Sequence, residues 1–243
     1  MIDTAFVLLA EARHPDPAAV VATGAAWGLD IEFREQSETI QTYRVGDATL
    51  LSMLVDVPHP DAATMPYGPT SPPRDAAVAA PAHLIVTAMD LTGTERIRDL
   101  LMAILTAALI KNTAAVGAML GHGILFHKAD MFADLAAAGF EKETLPAEIA
   151  VDITVARESE THMSFLTHNL PRYDREDFYV TCPITGKGAL PFVLGLVRWM
   201  LIDPDKHLPT GDTIGRTPDE KVLIQRVPNP ADESATVIKL ELT

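Results

Sequence analysis

The segment HLIVTAMDLTGTERIRDLLMAILTAALI, residues His83–Ile110, contains the strongest pattern in the chain. Its first part, His83–Met89, is a short apolar run with several β-branched side chains, which is typical of a buried strand. From Ile97 onward the apolar residues recur at spacings of three and four, which predicts a helix with one face in the core. Thr92 followed by Glu95 predicts a capping box at the start of that helix. A buried strand followed by an amphipathic helix indicates a fold that mixes helices and sheets.

The residues before this segment predict a smaller module. Thr4–Ala10 is an apolar run of strand length. Pro15-Asp16-Pro17 opens a helix, because proline suits a first turn and aspartate suits the positive end of the helix dipole. Gly28 is placed to end that helix. Further strands are predicted at Ile31–Arg34, Thr39–Val45 and Thr49–Val57. Residues 1–57 are therefore expected to form an N-terminal β-α-β-β module.

Residues 58–81 interrupt this order of elements. The segment contains seven prolines and one glycine, which are incompatible with a helix interior or with continuous strand pairing. We interpret it as a Pro-rich connector. It leads to a larger α+β module at residues 82–243, which is expected to form one compact unit with the first module.

The rest of the larger module alternates between strands and helices. The predicted elements are strand Ala114–Leu120, helix Ala129–Ala138 ended by Gly139, strands Glu148–Ala156, Met163–Asn169 and Phe178–Pro183, and helix Leu190–Ile202. Alternating residues on both sides of the turn-rich PNPADES segment predict a C-terminal β-hairpin. The predicted fold class is α+β, with two β-α-β-type modules, mixed and antiparallel sheets, and one compact body.

The charge of the chain limits its partners. The formal net charge is -14, and residues 1–80 contain eleven acidic residues against four arginines. Such a field repels phosphate backbones, which argues against nucleic-acid binding. It favours either attraction of a protein partner with a basic surface or simple solubility.

Apolar residues make up 48% of the chain, but they do not form a long continuous run. No run reaches the ~18 apolar residues that a membrane helix needs, and Asp3 stands where a signal peptide carries positive charge. The single cysteine, Cys182, excludes an internal disulfide. These features predict a cytoplasmic protein that does not associate with membranes.

Three segments together carry a resemblance to a family. They are APAHLIVTAMD (80–90), AALIKNTAAVGAMLGHGILFHKADMF (107–132) and GDTIGRTPDEKVLIQRVPNPADESATVIKLEL (211–242). In this order and spacing they resemble a bacterial domain of unknown function, catalogued under the number four thousand two hundred and sixty-one. The resemblance covers most of the chain after His83. It implies a stand-alone cytoplasmic protein with no assigned activity, in some members encoded near secretion and bacterial-competition systems.

The chain departs from that family pattern at one place. The family has a glycine and then paired acidic residues after a YVT segment, whereas YVTCPITGKGALPF has Ala189, Leu190 and Pro191 there. A function that depends on those acids is therefore not implied for this chain.

The CPITGKG segment, residues 182–188, is one candidate site. Gly186, Lys187 and Gly188 precede a predicted helix, so an anion could bind there through backbone N–H groups. The alternative is that the glycines only form the strand-to-helix turn. A Walker A loop is excluded, because the first glycine of that motif is missing. Cys182 has no base at a recognisable spacing, which favours an inert, half-buried thiol.

The GDTIG segment, residues 211–215, is the other candidate. Asp212 could act as a general base or cation ligand, with Thr213 as its hydrogen-bonding neighbour. The structural interpretation is a turn in which Asp212 accepts backbone N–H groups and Gly215 has a positive φ. We favour the turn. This segment and Gly186–Gly188 lie at opposite ends of a helix about 20 Å long, so they are not expected to meet.

No other constellation predicts catalysis. The eight histidines match no zinc signature. Ser164, His168 and Asp174 could be drawn as a triad, but the chain lacks a Gly-x-Ser-x-Gly elbow.

The sequence therefore favours a non-catalytic protein-interaction factor without cofactor or metal, such as an immunity or accessory protein of a toxin or secretion system. Two alternatives stay open. One is a small-ligand or anion-binding protein or enzyme with a site near Gly186–Gly188 or Asp212–Thr213. The other is a structural subunit of a homo-oligomer, which the apolar excess suggests.

Overall fold

The computed structural model describes residues 2–185, 188–203 and 205–243. The chain divides into two units, Met1–Ala150 (unit 1) and Val151–Thr243 (unit 2). Helices are combined with antiparallel and mixed sheets, so the predicted α+β class is confirmed.

Unit 1 contains a seven-stranded sheet and five helices. Its elements are β1 (Ile2–Leu9), α1 (Pro17–Ala26), β2 (Ile31–Gln36), β3 (Ile40–Val45), β4 (Ala48–Val55), α2 (Arg74–Val78), β5 (Ala82–Met89), α3 (Glu95–Ile110), β6 (Ala115–Leu120), β7 (His127–Lys128), α4 (Ala129–Glu141) and α5 (Ala147–Ala150). The strand order is β2-β3-β4-β5-β1-β6-β7, and every neighbouring pair is antiparallel. The first strand of the chain therefore lies inside the sheet, between β5 and β6.

One face of this sheet is covered by helices. Alternate residues of β1, namely Ala5, Val7 and Leu9, pack in one core with buried residues of α1, α3 and α4. The alternation follows from the strand period of two, which points successive side chains to opposite faces. Helix α3 contributes most to this core, because every residue from Met102 to Ile110 is buried.

The other face is covered by the Pro-rich segment 58–81. Phe6 and Leu8 of β1 point to this side and pack with Ala77, Ala80 and Phe126. Thr70 fixes the segment to β7, because its carbonyl accepts from the Lys128 N–H at 2.9 Å. The segment joins β4 to β5, which are paired neighbours. Strands β1 to β4 and strand β5 therefore share one sheet, and the division into units falls after Ala150.

A buried ion pair joins α3 to β1. The Arg98 guanidinium contacts the Asp3 carboxylate at 3.3 Å, and both side chains are less than a tenth exposed. Arg98 also bonds Glu95 one turn earlier and donates to the Gly93 carbonyl at 3.3 Å. This network fixes the start of α3 against the middle of the sheet.

Three predicted boundaries in unit 1 are wrong for identifiable reasons. The N-cap of α3 is Thr94, whose hydroxyl accepts from Ile97 N, so Thr92 and Glu95 form no capping box. Helix α4 continues past Gly139 to Glu141. A Cβ at Gly139 would come within 2.6 Å of Thr144 O, so this glycine allows a close approach of the following turn. The predicted strand at Glu148 begins only at Asp152, because α5 occupies Ala147–Ala150.

Unit 2 contains a five-stranded mixed sheet, a two-stranded sheet and one long helix. Its elements are β8 (Asp152–Arg157), β9 (His162–His168), β10 (Phe178–Pro183), α6 (Ala189–Ile202), β11 (Thr213–Ile214), β12 (Val222–Leu223), β13 (Gln225–Asn229) and β14 (Asp232–Glu241). The strand order is β13-β14-β10-β9-β8, with β10 and β14 parallel. The predicted C-terminal hairpin is confirmed as β13–β14, and the helix predicted at Leu190–Ile202 is α6.

Candidate functional site

A groove of about 960 Å³ lies between the end of α1, the start of α3 and the end of α4. We call it the α3/α4 groove. Its apolar lining comprises Ala26, Trp27, Ile97, Leu100, Leu101, Ala137, Ala138, Phe140 and Leu145. Three of these residues are alanines, whose short side chains leave the space between the helices open. Ile97 is 44% exposed, so apolar surface is available to a bound molecule.

Charged residues stand among this apolar lining. Glu141 and Glu143 contribute carboxylates from the end of α4, and Arg96 contributes a guanidinium from α3. Both glutamates are exposed. The groove therefore combines an apolar floor with two carboxylates at one end, a combination that suits an amphipathic ligand carrying positive charge.

Glu143 occupies a backbone conformation that favours glycine. Its φ is 52°, and it follows the C-cap Lys142 in a turn where Thr144 N donates to Gly139 O at 2.9 Å and Glu143 N donates to Phe140 O at 3.1 Å. This is the Schellman arrangement, which usually has glycine at the left-handed position. A residue with a Cβ costs about 1 kcal/mol there. The Glu143 carboxylate of the groove therefore stands at a position where the backbone favours glycine.

The sequence-predicted site residues lie elsewhere, in unit 2. Gly186 and Lys187 fall outside the part of the chain that the structure describes. Gly188 is the N-cap of α6, with a φ of 85°. Asp212 and Thr213 are exposed at the start of β11.

The prediction that the Gly186–Gly188 segment and the GDTIG segment do not meet is corrected at one point. Gly188, at the start of α6, lines an apolar concavity of about 570 Å³ together with Ile214, Gly215 and Arg216 from the other segment. The remaining lining comes from α6, namely Pro191, Phe192, Gly195, Leu196 and Trp199. The chain after α6 returns alongside the helix, so distance along the helix axis does not separate the segments. Asp212 and Thr213 are not among the lining residues.

The GDTIG segment forms one side of a small hairpin. Gly211 N donates to Ile224 O and Ile224 N donates to Asp212 O, each at 2.9 Å, and Thr213 pairs with Leu223. The positive φ belongs to Gly211, at 94°, so the prediction that placed it at Gly215 is wrong. Gly215 is needed for space, because a Cβ there would lie 2.1 Å from Glu220 O. This close approach lets Arg216 N donate to the Glu220 carboxylate at 2.6 Å.

We expect Gly215→Ala to lower the free energy of unfolding by about 2 kcal/mol, because the added methyl group must displace a backbone carbonyl. The matched control is Gly195→Ala on α6, where a Cβ would meet nothing within 4 Å and alanine favours the helix. Urea denaturation at low protein concentration measures both. Equal stabilities for the two variants would show that the 215–220 loop is not held in this conformation.

The candidate nucleophiles have structural roles. Cys182 is fully buried in β10, and burial raises the pKa of its thiol, which suppresses the reactive thiolate. Ser164 Oγ donates to Glu158 Oε1 at 2.5 Å, whereas His168 Nε2 bonds Thr154 Oγ1 at 2.9 Å. Ser164 and His168 thus have separate partners, and the triad drawn from the sequence does not form.

The histidines contribute to packing. His59 makes edge contacts with the rings of Phe6, His83 and Phe126, with centroids 5.0–5.2 Å apart. Burial is the main cause that lowers the pKa of His59, so the neutral ring is favoured in this cluster. Among the residues that the structure describes, no group of three or more His, Cys, Asp or Glu side chains could hold a metal ion.

Asp177 is a buried carboxyl group of unit 2 that the sequence did not reveal. Asp177 lies just before β10 and is 8% exposed. Its Oδ1 accepts from Thr167 Oγ1 at 2.8 Å and from Leu170 N at 3.3 Å. Burial raises the pKa of Asp177 to about 6, although these hydrogen bonds act in the opposite direction. The carboxyl group joins β9 to the 3-10 helix Leu170–Tyr173.

The α3/α4 groove was also missed by sequence reasoning. Its residues come from around three helices that are distant in the chain. The apolar spacing had placed Ile97 on the core-facing side of α3, whereas Ile97 is 44% exposed. No protein-family model, no curated protein and no solved structure matches this chain. Over residues 2–185, 188–203 and 205–243, no helix is long and apolar enough to cross a membrane.

Proposed function

We propose that this protein is a non-catalytic protein-interaction factor that binds an apolar, positively charged segment of a partner in the α3/α4 groove. The observation that carries the proposal is the apolar floor bordered by Glu141 and Glu143. The resemblance in the sequence supports a more specific form of the proposal, in which the partner belongs to a toxin or secretion system and this chain is its immunity or accessory protein.

The shape of the groove favours a helical segment as the ligand. It lies along packed helices, and amphipathic helices bind such grooves through apolar residues at spacings of three and four. Trp27 supplies a side chain of the type that often dominates binding energy in protein interfaces. Leu101 and Phe140 add apolar contact area beside it. The net charge of -14 would accelerate encounter with a basic partner.

The groove residues also favour binding over catalysis. Its titratable side chains are Arg96, Glu141 and Glu143, and both carboxylates are exposed. General acid–base catalysis at neutral pH needs groups whose pKa is tuned by burial or by close charges. Exposed carboxylates instead provide attraction to a partner with positive charge.

The first test uses two labelled helical peptides with the same leucine face, one with lysines on its polar face and one with glutamates. Fluorescence anisotropy should show binding of the lysine peptide only. Ile97→Lys places a cation in the groove and should weaken that binding at least about 10-fold. Val78→Lys is the matched control, since Val78 is similarly exposed on α2. Equal binding of both peptides, or equal affinity of both variants, would contradict the proposal.

A second prediction separates the charge of Glu143 from its backbone strain. We expect Glu143→Gly to raise the free energy of unfolding by about 1 kcal/mol and to weaken binding of the lysine peptide about 2–5-fold. Glu143→Gln should weaken binding equally without the gain in stability, because it keeps the Cβ at a φ of 52°. Denaturation and anisotropy measure the two effects independently. Unchanged affinity in both variants would remove Glu143 from the binding site.

A further inference from the structure

His59 holds the start of the Pro-rich segment 58–81 against the sheet of unit 1. It is 7% exposed, and its ring packs edge-on against Phe6 of β1, His83 of β5 and Phe126. The centroids of the His59 and His83 rings are 5.0 Å apart. Two imidazole rings therefore share one apolar site, where a positive charge on the His59 ring is unfavourable.

The hydrogen bonds of the two imidazole rings respond differently to a proton. Asp61 N donates to Nδ1 of His59 at 3.3 Å, so this nitrogen acts as an acceptor and carries no proton. Protonation of His59 turns Nδ1 into a donor that faces the Asp61 N–H, and the hydrogen bond is lost. His83 differs, because its Nδ1 lies 3.0 Å from the Val57 carbonyl. A carbonyl oxygen only accepts, so His83 Nδ1 is a donor and keeps its bond whether or not the ring is charged.

The groups around His59 favour its neutral form. Burial is the main cause that lowers the pKa of His59, the nearby His83 ring adds to it, and the Asp61 carboxylate acts in the opposite direction. Asp61 is exposed, so water screens its attraction for a charged ring. Phe6 from β1 and Phe126 from the chain before β7 contribute no charge. Among the described residues that pack against His59, the titratable ones are thus His83 and Asp61.

The attachment of the segment at Thr70 does not respond to a proton in this way. Thr70 Oγ1 and His127 Nδ1 are 2.8 Å apart, and a hydroxyl group can donate or accept. This bond therefore survives a change in the charge of His127. The Thr70 carbonyl also accepts from Lys128 N, and this backbone bond does not depend on side-chain charge. A proton thus loosens the start of the segment while Thr70 still holds its middle.

Two prolines limit how His59 can adjust to a charge. Pro58 and Pro60 stand on either side of it. Proline fixes its own φ angle and restricts the backbone of the residue before it, so the residues next to His59 must move with it when the ring turns toward water. We propose that acidification releases residues 58–65 from the sheet of unit 1, with His59 as the group that takes up the proton. The release uncovers Phe6 and Phe126 on the sheet face opposite to the helices.

Hydrogen exchange of the full chain at pH 7.5 and pH 5.5 tests the proposal. The amides of Ala62, Thr64 and Met65 are hydrogen-bonded within the segment, and their protection factors correct for the intrinsic effect of pH on exchange. These factors should fall about 10-fold at pH 5.5, because each pH unit below the ordinary pKa of 6.5 favours the released form by about tenfold while the closed form keeps His59 neutral. Amides in the buried part of α3 should keep their protection.

Three variants assign the effect to His59. His59→Phe keeps an aromatic ring that cannot take up a proton, so its protection factors should be equal at the two pH values. His162→Phe, the same substitution at an exposed histidine of unit 2, should show the fall of the wild type. His83→Asn keeps a donor for the Val57 carbonyl but removes the second imidazole, which should reduce the fall.

Two results would overturn the proposal. One is unchanged protection of the wild type at pH 5.5, and the other is an equal fall in wild type, His59→Phe and His83→Asn. The outcome is independent of the α3/α4 groove, because the Pro-rich segment covers the other face of the sheet. His59→Phe should accordingly leave binding of the lysine peptide at neutral pH unchanged.

Discussion

Replacement of Arg98 by alanine is expected to lower the free energy of unfolding by about 3–5 kcal/mol, the largest effect predicted for a single side chain here. Arg98 is buried beside Asp3 at 3.3 Å. Removal of the guanidinium would take away the opposite charge that Arg98 supplies to the buried Asp3 carboxylate, and a buried charge that loses such a partner is strongly destabilising. Urea denaturation of the full chain measures the loss.

Two further variants define the origin of that effect. Arg44→Ala removes an arginine that is half exposed and pairs with Glu32, and it should lower the stability far less than Arg98→Ala, because solvent screens an exposed ion pair. Asp3→Asn combined with Arg98→Met should recover a large part of the loss, because neither residue then carries a buried charge. A single Arg98→Ala variant as stable as Arg44→Ala would show that the ion pair contributes nothing to the fold.

Replacement of Asp177 by asparagine is expected to change how stability depends on pH. The pKa of Asp177 is raised from 3.8 to about 6 in the fold, so the folded chain binds a proton that the unfolded chain has released between these values. The stabilisation is complete below the unfolded pKa and is lost as pH rises through about 6. The penalty at neutral pH is up to ~3 kcal/mol. Asparagine keeps an oxygen that can accept from Thr167 and Leu170 without becoming charged.

The difference between variant and wild type isolates this group. His168 also titrates, but burial lowers its pKa, so its contribution to stability is lost as pH falls. We expect Asp177→Asn to be close to wild type near pH 4 and more stable by about 1–3 kcal/mol above pH 7. Asp212→Asn, the same substitution at an exposed position, is the control for the substitution itself. A flat curve for Asp177→Asn would show that the Asp177 carboxyl group titrates normally.

The elements with strong periodicity could be predicted from the sequence. Helices α3 and α6 and the hairpin β13–β14 follow from apolar spacing and turn residues. The wrong boundaries arose where local backbone geometry, and not apolar spacing, decides where an element begins. Two threonines flank Gly93, and only the start of the helix at Glu95 shows that Thr94 is the cap. Pro146 opens a single helical turn where the apolar pattern alone suggested a strand.

The candidate sites were harder to predict, because they depend on contacts between distant segments. Trp27, Leu101 and Phe140 line the same groove, yet nothing in their local sequence shows that α1, α3 and α4 meet. The glycines of the GDTIG segment made it a candidate site in the sequence, but in the structure they are part of a hairpin. A pattern of glycines in the sequence indicates local backbone conformation, whereas a groove between distant helices has no short sequence pattern of its own.

The position of β1 in its sheet has a consequence for synthesis of the protein. Ile2 pairs with Met89, and Ala5 pairs with Leu120. Because both neighbours follow it in the chain, β1 waits during synthesis for β5 and β6, with two unpaired edges and apolar residues on both faces. Such long-range pairing slows folding, and exposed strand edges promote aggregation during elongation. Productive folding of unit 1 should accordingly benefit from chaperones that hold β1 until β6 has emerged.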